Sequence, residues 1–485
     1  MLAFPRPLSA LLLLAPLACA PAPSKSPLPA TSTAAPDSAA APQDSTSPNS
    51  ISQVPATRPP APLAEMGERQ QGHDWPSFLG PRRDGKSAET GYRPAARPKV
   101  LWRKRLGEGY AIGSTARGRY YQAYRDRDRM VLACLRAESG EQLWKFDYPT
   151  DFSDRYGYNG GPRTSPVIDA ECDLVFFYGP EGMLFALRAS TGEEVWKVNT
   201  FADYGVIENF FGVGSTPLID GDKLIVIVGG SPPEEAGNYD FLSLKPNGSA
   251  VVAFDKRTGK PLYKTGDELA SYASPLITTF EDRRVGLAFV RSGLFGFDPD
   301  TGKSQFHFPW RAKILESVNA ATPVADGPRV FITETYGPGS ALLDLSGVDP
   351  KVIWQDDPKV RHKALKAHWN TPILHEGYLY ASSGRHSGDA ELRCVKFDTG
   401  EVKWSVPELS RCSLLYVDGR FLCQCEDGRI LVFAANPERF EPICEIELET
   451  PLQYPAWSAP ILSRGLAYFR DEHTTVCVEL IPEAP

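Results

Sequence analysis

The 485-residue sequence is poor in the features that mark membrane proteins and nucleic-acid binders. Beyond the first 20 residues no stretch offers the ~18 uninterrupted apolar residues that a spanning helix needs. No long basic run occurs and the net charge is −8, which disfavours nucleic acid or an anionic lipid surface as the main partner. The densest charge cluster, RDRDR at residues 125–129, alternates in sign and reads as a solvated hairpin end. Catalytic signatures are missing as well. There is no G-x-S-x-G elbow and no H-E-x-x-H, and the glycines of residues 212–215 lead into a strand rather than a helix, unlike a phosphate loop. Four of the seven histidines lie between His362 and His386, at spacings of 6, 7 and 11 that fit neither a helix face nor a zinc pattern.

What the N-terminus does contain reads as an address. Arg6 precedes the apolar run LSALLLLAPLACA, which ends in Ala18-Cys19-Ala20, a cleavage pattern for residues 1–20 as a signal peptide. Lipidation of Cys19 is the alternative, although Pro16-Leu17-Ala18 departs from the usual lipoprotein pattern. Residues 21–72 are Pro, Ala, Ser and Thr with almost no branched or aromatic side chains, too little apolar area to offset ordering entropy, and read as a disordered linker. The expectation is an exported, periplasmic or envelope-held protein, monomeric and without a membrane span.

The remainder is a repeat. ALRASTGEEVWK (186–197) returns as CLRAESGEQLWK (134–145), AFDKRTGKPLYK (253–264), GFDPDTGKSQFH (296–307) and VKFDTGEVKW (395–404). Each copy opens at a Ser/Thr-Pro, continues through short apolar runs punctuated by Asp-Gly and Gly turns, and closes with Thr-Gly and an aromatic strand. That grammar is four strands in a meander. Openings at Ser114, Ser165, Thr216, Ser274, Thr322, Thr371, Ser413 and Ala459 divide residues 99–482 into eight copies of about 48 residues, the size of a propeller blade. The eighth copy ends after three strands. Its missing fourth is supplied by KVLWRKRLG at residues 99–107, which predicts an all-β, eight-bladed propeller of four-stranded antiparallel blades closed by an N-terminal strand. The aromatics at the closing position, Trp102, Trp144, Trp196, Tyr263, Phe306, Trp354 and Trp404, are then architecture, filling the wedges between sheets. Residues 73–98 are expected to pack on the propeller.

The Ala-Leu-Asp-x-x-Thr-Gly-x-x-x-Trp repeat resembles that of the PQQ-like, quinoprotein-type eight-bladed propellers. With DWPSFLGPRRDGKSAETG, NGGPRTSPV, NFFGVGSTPLIDGDKLIV and ESVNAATPV, residues 74–482 resemble an exported branch of that family common in planctomycetes. Relatives implied by the resemblance include PQQ-dependent dehydrogenases and the propeller lipoprotein of the outer-membrane β-barrel assembly machine, which uses no cofactor. The dehydrogenases need calcium beside PQQ, held by Glu and Asn, with an Asp base. The loops that would carry such groups offer Arg163, Glu208, Asn209, Glu316, Asn319, His368 and Asn370. The resemblance also implies adjacent cysteines over the quinone, and this chain has no Cys-Cys. The reading therefore disfavours an enzyme, a cofactor or a metal. It favours an envelope scaffold for a protein or glycan, with PQQ-dependent oxidoreduction as the alternative. Arg163, Trp369 and Trp457 are its candidate contact residues, because Arg and Trp dominate binding hot spots.

Eight cysteines follow Cys19. A two-residue turn at Asp418-Gly419 would set Cys412 directly opposite Cys425, leaving either a disulfide or two buried thiols.

Overall fold

Short strands punctuated by turn glycines have no face long enough for helix packing, and in the computed structural model they close into a ring of eight four-stranded sheets. The structure describes residues 61–483, except 208, 209, 239, 241, 316 and 408. The signal segment, Cys19 and residues 21–60 of the linker lie outside the described residues, as do Glu208, Asn209 and Glu316. Residues 61–72 of the expected linker instead pack on the ring, Leu63 N donating to Ala170 O and Arg69 Nη1 to Glu479. Each sheet is an antiparallel meander whose first strand is nearest the axis. In blade two these are Val167–Asp169, Leu174–Tyr178, Met183–Arg188 and Glu194–Asn199. The only α-helix among the described residues is Thr200–Tyr204, and no helix there is long and apolar enough to cross a membrane.

The last sheet mixes both ends of the chain. Lys99–Arg105 pairs antiparallel with Thr474–Glu479, next to Leu466–Arg470 and Ile461–Ser463. Closure by the N-terminal strand removes an exposed edge that would otherwise template pairing with another chain.

The repeated line of sequence acquires a physical explanation here. Every fourth strand carries a register shift one residue before its closing position, as between Ala186 and Leu187 opposite Trp196. Such a bulge bends the strand and re-aims the following side chain. The aromatic then reaches the next blade. Trp144 Nε1 donates to Ala189 O (3.0 Å), Trp196 Nε1 to Lys256 O (3.0 Å) and Trp354 Nε1 to Phe397 O (2.8 Å). Trp102, Tyr263 and Trp404 do the same to Ala137, Pro299 and Asn436. The turn glycine of the receiving blade lies beneath the ring. A Cβ on Gly259 (φ +70°) would fall 2.8 Å from the Trp196 indole, and one on Gly302 (φ +75°) 2.5 Å from the Tyr263 ring. Thr-Gly is therefore both a turn and a seat for the neighbour's aromatic.

A second seam runs near the axis. The hydroxyls of the Ser/Thr openings accept from backbone N–H groups of the preceding blade: Ser165 N to Thr216 Oγ1 (3.0 Å), Thr216 N to Ser274 Oγ (3.0 Å) and Ser274 N to Thr322 Oγ1 (3.2 Å). The series continues from Thr322 N to Thr371 Oγ1 (3.1 Å). The openings thus clasp blade to blade.

One seam lacks its aromatic. Blade seven has Cys444 at the closing position, opposite Val432. Tyr92, 2% exposed, comes instead from the segment preceding the first strand and shares one apolar cluster with Cys444. That segment also crosses the turn face of the ring. Thr115 N donates to Trp75 O, Ile168 N to Pro76 O, and Lys86 Nζ to Leu374 O, while Ser87 N and Gly85 O bond Tyr416.

Candidate functional site

The openings and the loops before them surround the axis, and one register position builds the wall. The residues two before the eight openings are Ile112, Arg163, Gly214, Tyr272, Ala320, Trp369, Arg411 and Trp457. All eight line a single axial cavity of about 420 Å³. Phe78 and Leu79, from the segment on the turn face, line it too. The hole through the ring is thereby narrowed from the turn face, where Arg83 donates to Pro217 O (2.5 Å) and Pro275 O (3.1 Å). Burial pushes the Arg83 guanidinium down to about 10, so it stays protonated at neutral pH.

The loop-face mouth is aromatic. Ring centroids follow one another at contact distance: Tyr272 to Phe211 (5.5 Å), Phe211 to Tyr158 (5.8 Å), Tyr158 to Trp457 (5.5 Å) and Trp457 to Trp369 (5.0 Å). The series continues through His368 (4.8 Å) to Tyr336 (5.4 Å). Tyr156 and Tyr158 are about half exposed, at 47% and 48%, so the belt faces solvent rather than a sealed core.

Arginines stand among the rings. Arg163 lies 5.4 Å from the Tyr110 centroid and 5.5 Å from Phe211, and is ion-paired to the fully enclosed Asp154 at 2.7 Å. Arg411 lies 4.4 Å from Trp369 and 5.3 Å from Trp457. It grips Glu426 through Nη2 (2.6 Å) and Nε (3.0 Å), and Trp457 Nε1 donates to the same carboxylate (2.9 Å). Burial alone would raise the Glu426 pKa, but the Arg411 guanidinium and its neighbouring donors hold it below the usual value. Arg385 lies 4.6 Å from the Tyr336 ring.

His368 faces these cations. Burial, with Arg411 and Arg385 nearby, pushes its pKa down to about 3, so the ring is neutral at physiological pH. Burial raises the Tyr336 phenol, which keeps its proton and is hydrogen-bonded to His368 Nε2 at 2.8 Å.

Of the residues singled out in sequence, the cavity brings together Arg163, His368, Trp369, Asn370 and Trp457. Asn319 is not among them. Its Nδ2 donates to Val290 O (2.8 Å) and Trp310 O (3.1 Å), and its main-chain carbonyl accepts from Tyr272 N and Ala273 N. It is a fully buried link between blades four and five, because an Asn at a strand entry satisfies main-chain groups locally. Sequence reasoning missed Tyr272 and Arg411, although the register two before each opening contains both. It also missed Arg385 and Tyr336, which sit in the turns between second and third strands and carry no repeat signature.

The lining is a poor match to a calcium–quinone centre. Among the described residues it contains no carboxylate. Glu334 is taken up by Ser317, Tyr336 and Gly337. Asp154 and Glu426, which bond the lining residues Arg163, Arg411 and Trp457, are each held by an arginine, whose charge opposes a divalent cation requiring 6–8 oxygen ligands. The same pairing leaves neither free to act as a base. Cys412 and Cys425 lie directly opposite in blade seven, unbridged in this structure, with Cys423 beside them.

A family model described as outer membrane protein assembly factor BamB matches residues 127–406. The outer membrane protein assembly factor BamB of Shewanella oneidensis is 33% identical over 181 residues, covering 35% of this chain and 42% of that protein. The chain thus spans less than half the length of this curated relative. The crystal structure of BamB from Moraxella catarrhalis superposes with a TM-score of 0.54 at 16% identity, over 80% of this chain and 99% of that one. A europium-containing methanol dehydrogenase superposes at 0.58 with 13% identity, over 84% and 90% of the two chains. For the quinohemoprotein alcohol dehydrogenase of Pseudomonas putida HK5 the values are 0.57, 14%, 88% and 84%. The solved structures share the fold with this chain.

Proposed function

The chain belongs to the family of the outer membrane protein assembly factor BamB, and from that premise we propose that it is a non-catalytic, protein-binding scaffold of the cell envelope. Its recognition surface is the aromatic mouth of the axial cavity. The observation that carries this reading is the pairing of Asp154 and Glu426 with the lining arginines Arg163 and Arg411, among rings left facing solvent. Aromatic and Arg side chains held in place lose little entropy on association, which suits them to hot spots. The opposite face already carries residues 63–92 of the chain itself. Export by residues 1–20, and a lipid anchor if Cys19 is modified, would hold the ring near the membrane.

A photo-reactive phenylalanine at position 158 tests the reading. A discrete cross-linked partner is expected there in intact envelopes, and none from position 348, which is 82% exposed on blade five. The band should vanish when Arg163, Trp369 and Trp457 are all changed to Ala. Equal labelling from both positions refutes the proposal. PQQ-dependent oxidoreduction is the second reading, favoured by the arginine-and-aromatic lining, which suits a flat anion. Quinone absorption and dye reduction on adding PQQ and calcium would establish it.

A further inference from the structure

Three arginines line the cavity walls described above, and two already hold a carboxylate. Arg163 has Asp154 and Arg411 has Glu426. Arg385 has none. Half-buried and lying against Tyr336, it forms no side-chain hydrogen bond or ion pair among the described residues. It is joined to the tryptophans by the continuous contact Tyr336–His368–Trp369–Trp457. A guanidinium in a recess with low-dielectric walls attracts an anion more strongly than one in open water. Its hydrogen bonds to a carboxylate are roughly twice as strong as neutral ones.

Resting on the protein-binding reading, we propose that the cavity seats one planar aromatic ring bearing a single carboxylate, with the ring against Trp369 and Trp457 and the carboxylate on Arg385. The volume of about 420 Å³ lies within the roughly 300–1,000 Å³ of small-ligand pockets. One unneutralised cation matches one negative charge. A tricarboxylate such as PQQ would leave two charges without a free counter-ion. The same chemistry comes from two sources, a free aromatic acid or an aromatic residue ending a polypeptide, and the half-exposed Tyr156 and Tyr158 leave a path by which a chain could lead out.

Isothermal titration of the full chain tests this with N-acetyl-tryptophan, its uncharged amide, and the peptide Gly-Ser-Gly-Ser-Trp as free acid. The acid is expected to bind at least tenfold more tightly than the amide. Arg385→Gln should erase that preference, and Arg385→Lys should restore part of it. A peptide that binds more tightly than N-acetyl-tryptophan assigns the site to a chain end. Equal or weaker peptide binding assigns it to a free acid. Equal affinity for acid and amide, preference surviving in Arg385→Gln, or no binding at all overturns the inference. The cross-link at position 158 reports separately on the protein-binding reading, so either can fail alone.

Discussion

Trp102 closes the ring, and replacing it tests whether the closing aromatics hold the blades together. Its indole is 7% exposed, donates to Ala137 O of blade one at 2.8 Å, and lies 5.7 Å from Tyr120 and 5.8 Å from Tyr468. Truncation of a buried aromatic costs about 3–5 kcal/mol, so Trp102→Ala should shift the urea midpoint strongly. Trp102→Phe keeps most of the packing. The carbonyl it abandons still accepts from Tyr468 OH at 3.3 Å, so the loss should stay near 1 kcal/mol. Gly140 supplies the second half of a cycle. It sits at φ +68°, and a Cβ there would lie 2.8 Å from the Trp102 ring. Gly140→Ala therefore suffers a backbone penalty of about 1–2 kcal/mol plus a clash. In the Trp102→Ala background the clash is gone and only the backbone penalty remains. The two changes should be less than additive, by about 1 kcal/mol or more. Equilibrium urea unfolding followed by circular dichroism measures all four proteins. Strict additivity, or a Trp102→Ala midpoint equal to wild type, refutes the wedge as the source of closure energy.

Three further outcomes follow from particular contacts. Thr216→Val removes the hydroxyl that accepts from Ser165 N and should cost about 1–3 kcal/mol, whereas Thr216→Ser should be near neutral; equal urea midpoints for both would dismiss the clasp. Cys412 and Cys425 face one another, so protein exported to an oxidising envelope should yield a linked peptide in unreduced mapping; free alkylation of both rules the bridge out. Burial pushes the Glu334 carboxyl up to about 7 from an ordinary 4.5, so the fold favours its protonated form. Its contribution is complete below pH 4.5, is lost as pH rises to about 7, and is flat above, by about 3 kcal/mol in all. Glu334→Gln should flatten that slope between pH 4.5 and about 7, and an unchanged slope would place the titration elsewhere.

The fold was legible because its rules recur within each copy. The meander, the turn glycines and the closing aromatics are local, so one copy explains the others. The contacts between copies were not. That the Trp196 indole donates to Lys256 O, or that Thr216 serves Ser165, requires knowing which edge meets which. The blade-seven seam is harder still. Cys444 breaks the pattern there, and the replacement ring, Tyr92, lies some 350 residues earlier in the chain. The cavity falls between these cases. Its wall is a fixed register that could have been read copy by copy, two residues before each opening. Its unpaired cation, Arg385, stands outside that register and became visible only when the carboxylates near its neighbours had been assigned.

A ring of near-identical blades has a near-symmetric hole, and a symmetric hole cannot orient a ligand. Two departures break the symmetry. Around the wall, Trp369, Arg411, Trp457, Arg163 and Tyr272 fill blades six, seven, eight, two and four, while Gly214 and Ala320 keep blades three and five open. Along the axis, Phe78 and Leu79 make one end unlike the other. The segment that does this is pinned to several blades at once, through Trp75 and Thr115, Arg83 with Pro217 and Pro275, and Lys86 with Leu374. A charged side chain such as Arg83 is stable there because it meets main-chain carbonyls at the inner strand entries, so its desolvation is offset only when those blades are already in register. The floor of the cavity is therefore completed by closure of the ring itself. The same stretch of chain supplies the closing strand, the ring at the defective seam and the base of the binding site.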